Sequence, residues 1–234
     1  MPHESPSTIG ILCALRGELG ALAERRVLER RVLGIPIHEL DDLEPMVGPE
    51  AEPTIGGRRA QRILVVVAGV GKVRSAHAAA ALLAAGVDRA LLVVGTCGAL
   101  TPELSIGDFV HAASAVDHTG DARLERESLS DPLLFRAWAD VAAGKTARFF
   151  SVDRAVTSFL RRRTIARSRS GGAAVDMETA AAALVAESAG VPWAALRVVT
   201  DRAGFMAESS FKKHFAAHGA RAAGTLPEFL RRLR

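Results

Sequence analysis

The chain has 234 residues, enough for one large α/β domain or two small ones. Hydrophobic residues make up 49% and charged residues 24%, the balance of an ordinary globular protein rather than a disordered or membrane-spanning one. The net charge of +4 comes mostly from arginines at Arg161, Arg162, Arg163, Arg167 and Arg169, and from Arg231, Arg232 and Arg234 in the tail. No interleaved aromatics or known module accompany them, so they read as solvated helix ends and loops, not a nucleic-acid surface.

Strand and helix alternate along the chain. Residues 9–14 form a buried apolar strand, and Leu15, Leu19 and Leu22 fit one face of a following helix. Residues 34–60 are polar, with Pro36, Pro45, Pro49, Pro53 and Gly56-Gly57, and read as loops with one edge strand at most. Residues 63–68 are a second strand. The turn Gly69-Val70-Gly71 leads into an alanine-rich helix ending near Gly86. Strands follow at 90–94 and 109–116, then a polar loop at 118–131 and a helix to about Ala143. Residues 147–152 are strand-like, and 161–172 are basic and exposed. A short strand at 173–177, a helix at 179–189 and a strand at 193–199 come next. The C-terminal stretch is helical, interrupted by Gly224 and Pro227. Such alternation predicts a mostly parallel sheet covered on both faces. No repeat, linker or compositional break divides the chain, so residues 1–234 read as one domain.

Cys13 and Cys97 sit in apolar strand-end contexts and form neither a C-x-x-C nor a disulfide framework. Buried thiols of a reducing compartment fit them. The N-terminus shows no charged segment followed by an apolar signal core, and no apolar run approaches bilayer length. A cytoplasmic location and no membrane association are expected.

Several motifs fail on inspection. Gly69-Val70-Gly71-Lys72 resembles a phosphate loop. Val66 stands at the first Walker glycine position, Val73 follows the lysine, and Arg74 stands where a dinucleotide fingerprint needs its third glycine. A tight strand-to-helix turn, one that also borders a ligand pocket in the functional reading, remains. His214 and His218 are spaced i, i+4, but Phe215 stands where a zincin needs glutamate, so a surface or packing role is favoured and no metal is expected. There is no G-x-S-x-G elbow.

Three acids stand out because each follows an apolar run: Glu18, Glu178 and Asp201. Open α/β sheets collect ligands beyond the carboxyl ends of their strands. In Val175-Asp176-Met177-Glu178 a carboxylate follows an unbranched apolar side chain, a pairing that suits a ribose. Three such acids suggest acid/base chemistry on a small polar molecule.

The segments Ile9-Gly10-Ile11-Leu12-Cys13-Ala14-Leu15-Arg16-Gly17-Glu18, Gly69-Val70-Gly71-Lys72, Gly95-Thr96-Cys97-Gly98-Ala99-Leu100, Ser105-Ile106-Gly107-Asp108-Phe109-Val110, Val175-Asp176-Met177-Glu178 and Arg197-Val198-Val199-Thr200-Asp201 occur in that order. Together they resemble the nucleoside phosphorylase/nucleosidase superfamily, in particular its methylthioadenosine/S-adenosylhomocysteine nucleosidase branch, over roughly residues 9–203. Each motif is weak alone; the ordered set is specific. The resemblance implies a three-layer α/β/α sandwich and cleavage of a purine N-ribosidic bond, without a cofactor. It implies that Glu18 activates water, Arg197 helps orient it, and Asp201 protonates the purine. Glu178 would bind ribose hydroxyls, with Met177 on the sugar. Thr96, followed by Cys97 and Gly98, matches a small hydroxyl residue next to the base-protonating acid. Val156 falls where the family packs the base. A homodimer with a small-molecule nucleoside substrate is the implied assembly.

The sequence also departs from that pattern. Ala155 replaces an aromatic expected beside the base, and Asp176 stands where the nucleosidases often have glutamate. The segment 118–147 is shorter than usual and the loop 34–57 longer. The 5′ substituent therefore stays open, a lipid-like group or a futalosine-like menaquinone precursor included. A phosphorylase remains an alternative: Val93 stands where such relatives carry a phosphate-binding arginine, but Arg16, Lys72 or Arg74 could substitute. A non-catalytic nucleoside-binding module is a third reading, disfavoured because Glu18 and Asp201 are both present.

Overall fold

The structure, a computed structural model, describes residues 7–40, 61–166 and 171–233. Its ten strands join in one mixed, mostly parallel sheet flanked by helices, the α/β architecture expected from the alternating pattern. The centre is β1 (Ser7–Cys13), flanked in parallel by β4 (Gln61–Val67) and β5 (Ala90–Ala99). Their apolar runs do not alternate with polar residues because helices cover both faces. Ile9, Ile11 and Cys13 face one helical layer and Leu12 the other.

On the first of these faces lie α2 (Pro132–Ala139), α5 (Ala207–Ala223) and α6 (Leu226–Arg232). Trp138 and Phe229 stack there, both fully buried. On the other lie α1 (Lys72–Ala84) and α4 (Thr179–Ser188), whose buried residues are mostly alanines. Small side chains let these two helices approach each other closely, so enlarging one of those alanines would overpack the layer at about 1–3 kcal/mol.

The remaining strands determine where a site can form. β6 (Phe109–Asp117) runs parallel to β8 (Lys145–Ser151), which runs parallel to β9 (Ala173–Asp176). β10 (Trp193–Asp201) pairs with both β6 and β5, and β9 pairs with the far end of β5, so these five strands close on themselves. β5 is thus the shared wall. Its first half pairs with β1, and its last residues, Gly98 and Ala99, pair with β9. A third apolar cluster, including Val152, Val156, Val175 and Ala203, with Met177 against it, lies at that end.

Several local expectations change. The segment after β1 is a 3-10 stretch, Arg16–Glu24, broken where Gly20 adopts a φ of 52°. Leu19 and Leu22 face the core as expected, but Leu15 precedes the helical turn in extended conformation. The polar stretch at 34–60 holds the one expected strand among its described residues, β3 (Ile35–Leu40), but not at the edge: β2 (Arg26–Val32), ahead of the stretch, takes the edge and joins β3 in a hairpin through Leu33 and Gly34, both at positive φ. Residues 41–60 lie outside the described residues, as do Arg167, Arg169 and Arg234 of the basic clusters. Within the stretch read as a loop at 118–131, β7 (Arg126–Leu129) pairs with β6. Arg161, Arg162 and Arg163 sit on a short helix, α3 (Phe159–Ala166). Pro227 begins α6 rather than interrupting a helix, which its fixed φ favours. Among the described residues no helix is long and apolar enough to cross a membrane.

Candidate active site

A cavity of about 320 Å3 opens at the carboxyl end of β5. That volume falls in the range of small-molecule sites, about 300–1,000 Å3. All nine residues singled out from the sequence line it: Glu18, Thr96, Cys97, Gly98, Val156, Met177, Glu178, Arg197 and Asp201. They converge because β1, β9 and β10 all border β5. Glu18 follows β1, Glu178 follows β9, and Asp201 ends β10.

Glu18 is buried and held by four donors. The Ala14 and Leu15 N–H groups donate to Oε2 at 3.1 and 3.0 Å, and the Thr96 N–H and hydroxyl donate to Oε1 at 3.0 and 2.9 Å. Burial pushes its carboxyl above the usual range. The charge of Arg197 and the bonds from Leu15, Thr96 and Ala14 pull it back. The four donors fix the carboxyl group in direction. Thr96 therefore serves Glu18, not the acid at the end of β10 beside which the resemblance had placed it.

Asp201 has its own hydroxyl neighbour. Thr200 Oγ1 lies 2.9 Å from its Oδ2 and 3.2 Å from the Cys97 carbonyl. The Ala203 N–H donates to Oδ1 at 2.8 Å. Ala203 reaches that position with a φ of 46°, a left-handed conformation that costs a non-glycine residue about 1–2 kcal/mol. Gly98 is the register partner of Asp201, and a Cβ there would lie 2.8 Å from Oδ1. Burial raises the Asp201 carboxyl, against the bonds from Ala203 and Thr200.

Glu178 stands at the start of α4. Its Oε1 accepts the Gly71 N–H at 3.0 Å, and its Oε2 lies 3.4 Å from Arg197 Nη1. The Ser75 hydroxyl anchors its carbonyl at 3.0 Å. Burial raises its carboxyl to about 7, helped by Asp176 and opposed by Arg197 and the Gly71 N–H.

Arg197 is fully buried in the middle of β10. Its Nε reaches Thr179 Oγ1 at 2.9 Å and Asp176 Oδ2 at 3.0 Å, and its Nη1 donates to the Thr96 carbonyl at 2.8 Å. Burial works against its charge, but Asp176, Glu178 and Glu18 outweigh it and hold it protonated. It makes no direct bond to Glu18; its ion pairs are with Asp176 and Glu178. Asp176 also accepts from Ser151 at 2.5 Å and from the Thr179 hydroxyl, so the arginine is tied into a buried polar network.

Among the described residues that line the cavity, Arg197 is the only cation, against the five acids Glu18, Asp176, Glu178, Asp201 and Glu208. Lys72 lies outside it, bonded to Asp117 at 2.8 Å and to Asp153 at 3.0 Å. Lining residues that escaped the sequence reading include Thr157, Ala203 and, on α5, Ala207, Glu208 and Phe211; Val70 lies in the glycine turn read as bordering a ligand pocket. Ala155 also lines the cavity and is exposed there. His214 and His218 stack on α5 and bond through Nδ1 to the Thr200 and Val199 carbonyls at 3.3 and 3.0 Å, a packing role. No group of three or more metal-ligating side chains occurs among the described residues.

The model of the phosphorylase superfamily matches residues 8–233. The 5′-methylthioadenosine/S-adenosylhomocysteine nucleosidase of Staphylococcus haemolyticus is 24% identical, over 95% of this chain and 98% of its own. The enzyme of that name from Mycobacterium bovis is 26% identical, over 95% and 96%. Among solved structures, S-adenosylhomocysteine nucleosidase from Streptococcus pyogenes, in complex with 5-methylthiotubericidin, aligns with a TM-score of 0.84 and 26% identity over 99% of both chains. Futalosine hydrolase of Helicobacter pylori aligns at 0.82 with 24% identity over 97% and 98%, a likeness of fold.

Proposed function

The chain belongs to the phosphorylase superfamily, and we propose that it hydrolyses the N-ribosidic bond of a purine nucleoside, with a 5′-substituted adenosine as substrate. One observation carries this reading. Three buried acids converge on a cavity whose lone cation among the described lining residues is already paired. A phosphate dianion entering such a cavity would lose hydration and meet mainly carboxylates. A neutral water meets no such barrier.

The chemistry assigns each acid one task. Glu178 accepts the ribose hydroxyl hydrogens while Met177 lies against the sugar. Asp201, protonated, gives its proton to a ring nitrogen of the purine. The C1′–N bond breaks, and its electron pair leaves with the now neutral base. Glu18 takes a proton from a water as that water's oxygen bonds to C1′ of the oxocarbenium-like sugar. The products are free base and free ribose derivative, and Glu18 returns its proton to solvent as Asp201 regains one. Positioned proton transfer of this kind contributes about 10²–10⁴-fold per group.

Thr200 suits the two states of Asp201. Its single hydroxyl proton points to Asp201 when that carboxyl is ionised. When Asp201 is protonated, the hydroxyl accepts from Asp201 and donates to the Cys97 carbonyl instead. Leu15, Val70 and Phe211 line the cavity with apolar side chains that suit an alkylthio substituent. Ala155 stands exposed where an aromatic is expected beside the base, and the 5′ substituent is open, so a futalosine-type nucleoside belongs in the same test. A panel of adenosine, 5′-methylthioadenosine, S-adenosylhomocysteine and futalosine, with chromatographic detection of free base, tests the reading. Release of adenine fastest from 5′-methylthioadenosine or S-adenosylhomocysteine is expected; no base from any member would refute it.

A further inference from the structure

Glu18 carries the water-activating role in the reading above, and the present inference rests on that role. Its carboxylate is fixed by hydrogen bonds at one end. At the other, its stem is fixed by something less visible. Gly219, on α5, faces the Glu18 backbone and stem: a Cβ at Gly219 would lie 2.7 Å from Glu18 Cα, 2.7 Å from Cβ and 2.6 Å from Cγ. Gly95, on β5, faces the carboxylate itself. A Cβ there would lie 2.7 Å from Oε1 and 3.1 Å from Oε2. Gly219 also sits at a helix position where alanine is favoured by about 1 kcal/mol, so the backbone pays for its absence.

We infer that Gly219 and Gly95 are positioning residues for the proposed hydrolysis, the two walls of a slot that sets the Glu18 carboxylate against the reacting water. Neither touches substrate. Each acts by the side chain it lacks. A methyl at Gly219 meets Cα and Cβ, atoms that cannot swing aside as a side-chain tip does, so either the Arg16–Glu24 segment or α5 must move. α5 is itself tethered to the end of β10, through Ser210 Oγ to the Thr200 carbonyl at 2.6 Å and His218 Nδ1 to the Val199 carbonyl at 3.0 Å. The movement therefore falls on Glu18. Drawing its carboxylate away from the Ala14, Leu15 and Thr96 donors removes bonds that favour the charged form.

The test compares wild type, G219A, E18Q and the double variant with 5′-methylthioadenosine, together with thermal unfolding. G219A is expected to lower kcat by about 10- to 100-fold, the scale of a misplacement near 1 Å. Its affinity for a non-cleavable C-nucleoside analogue should stay within roughly threefold, and the acid limb of its kcat profile should move to higher pH. In the E18Q background the same change should cost no further activity. Unchanged kcat and acid limb in G219A, with only a lower melting temperature, would overturn the inference and leave a packing role. If G219A does not fold, G95A carries the test with the same expected shift of the acid limb, its thermal unfolding reporting the strain that a side chain adds at the Gly95 φ of 152°, and failure of both to fold overturns the inference too. A wild type that cleaves while G219A matches it removes the slot alone. A wild type that cleaves no nucleoside removes the proposed function, and the slot with it.

Discussion

The N–H of Gly71 donates to Oε1 of Glu178 across 3.0 Å. The glycine turn that resembles a phosphate loop thus spends its amide on a carboxylate. Gly71 begins α1, and the positive end of that helix faces an acid of the protein itself. Arg197, the one cation among the described residues lining the cavity, is likewise paired, with Asp176 and Glu178. That occupancy supports the proposed hydrolysis over phosphorolysis, and the outcomes below are what the proposal expects.

Glu18→Gln keeps the shape of the side chain but cannot accept a proton. Turnover should fall by about 10²–10⁴-fold. Binding of a non-cleavable nucleoside, measured by calorimetry, should change little. A variant that turns over like wild type would remove Glu18 from the chemistry.

Glu178→Ala should weaken ribosides far more than free bases. Charge-assisted bonds to the ribose hydroxyls are worth about 1.5–3 kcal/mol, or roughly ten- to a hundredfold in affinity. Parallel titrations with a non-cleavable adenosine analogue and with adenine decide it. Equal losses for both ligands contradict a ribose role.

Asp201→Asn should abolish most cleavage of purine nucleosides and spare a nitrophenyl riboside, whose leaving group needs no proton. The alkaline limb of the wild-type profile, where Asp201 has lost its proton, should be absent with that second substrate. Equal losses on both substrates would make Asp201 structural.

Glu178 also predicts how stability varies with pH. Its carboxyl is raised from 4.5 to about 7, chiefly by burial, so the folded protein holds a proton that the unfolded chain releases. Its contribution to stability is complete below about pH 4.5 and lost as pH rises through about 7. Glu178→Gln removes that loss. The melting temperature of the variant relative to wild type should rise between pH 5 and pH 8, by roughly 3–8 °C. A pH-independent difference would place the ionisation elsewhere.

The parts of this architecture legible in the sequence are those where one residue type repeats. β1, β4, β5 and β10 are continuous apolar runs because helices cover both their faces. β2 was hidden: its Arg26, Arg30 and Arg31 suit an edge strand but break the apolar signal. The three acids could be marked because each follows a strand. What could not be read is sideways pairing, which register decides. Thr96 is a neighbour of Glu18, 78 positions away, and Thr200 is the hydroxyl beside Asp201. Phe211, Glu208 and Gly219 come from α5, whose sequence gives no sign that it returns beneath the site.

The most direct test follows the sugar. Enzyme, 5′-methylthioadenosine and inorganic phosphate are incubated together and observed by phosphorus NMR, beside a phosphate-free reaction assayed for reducing sugar. Adenine and a reducing sugar should form at the same rate in both, with no new phosphorus resonance. A growing sugar 1-phosphate signal, with no cleavage when phosphate is left out, would contradict the account and make the protein a phosphorylase.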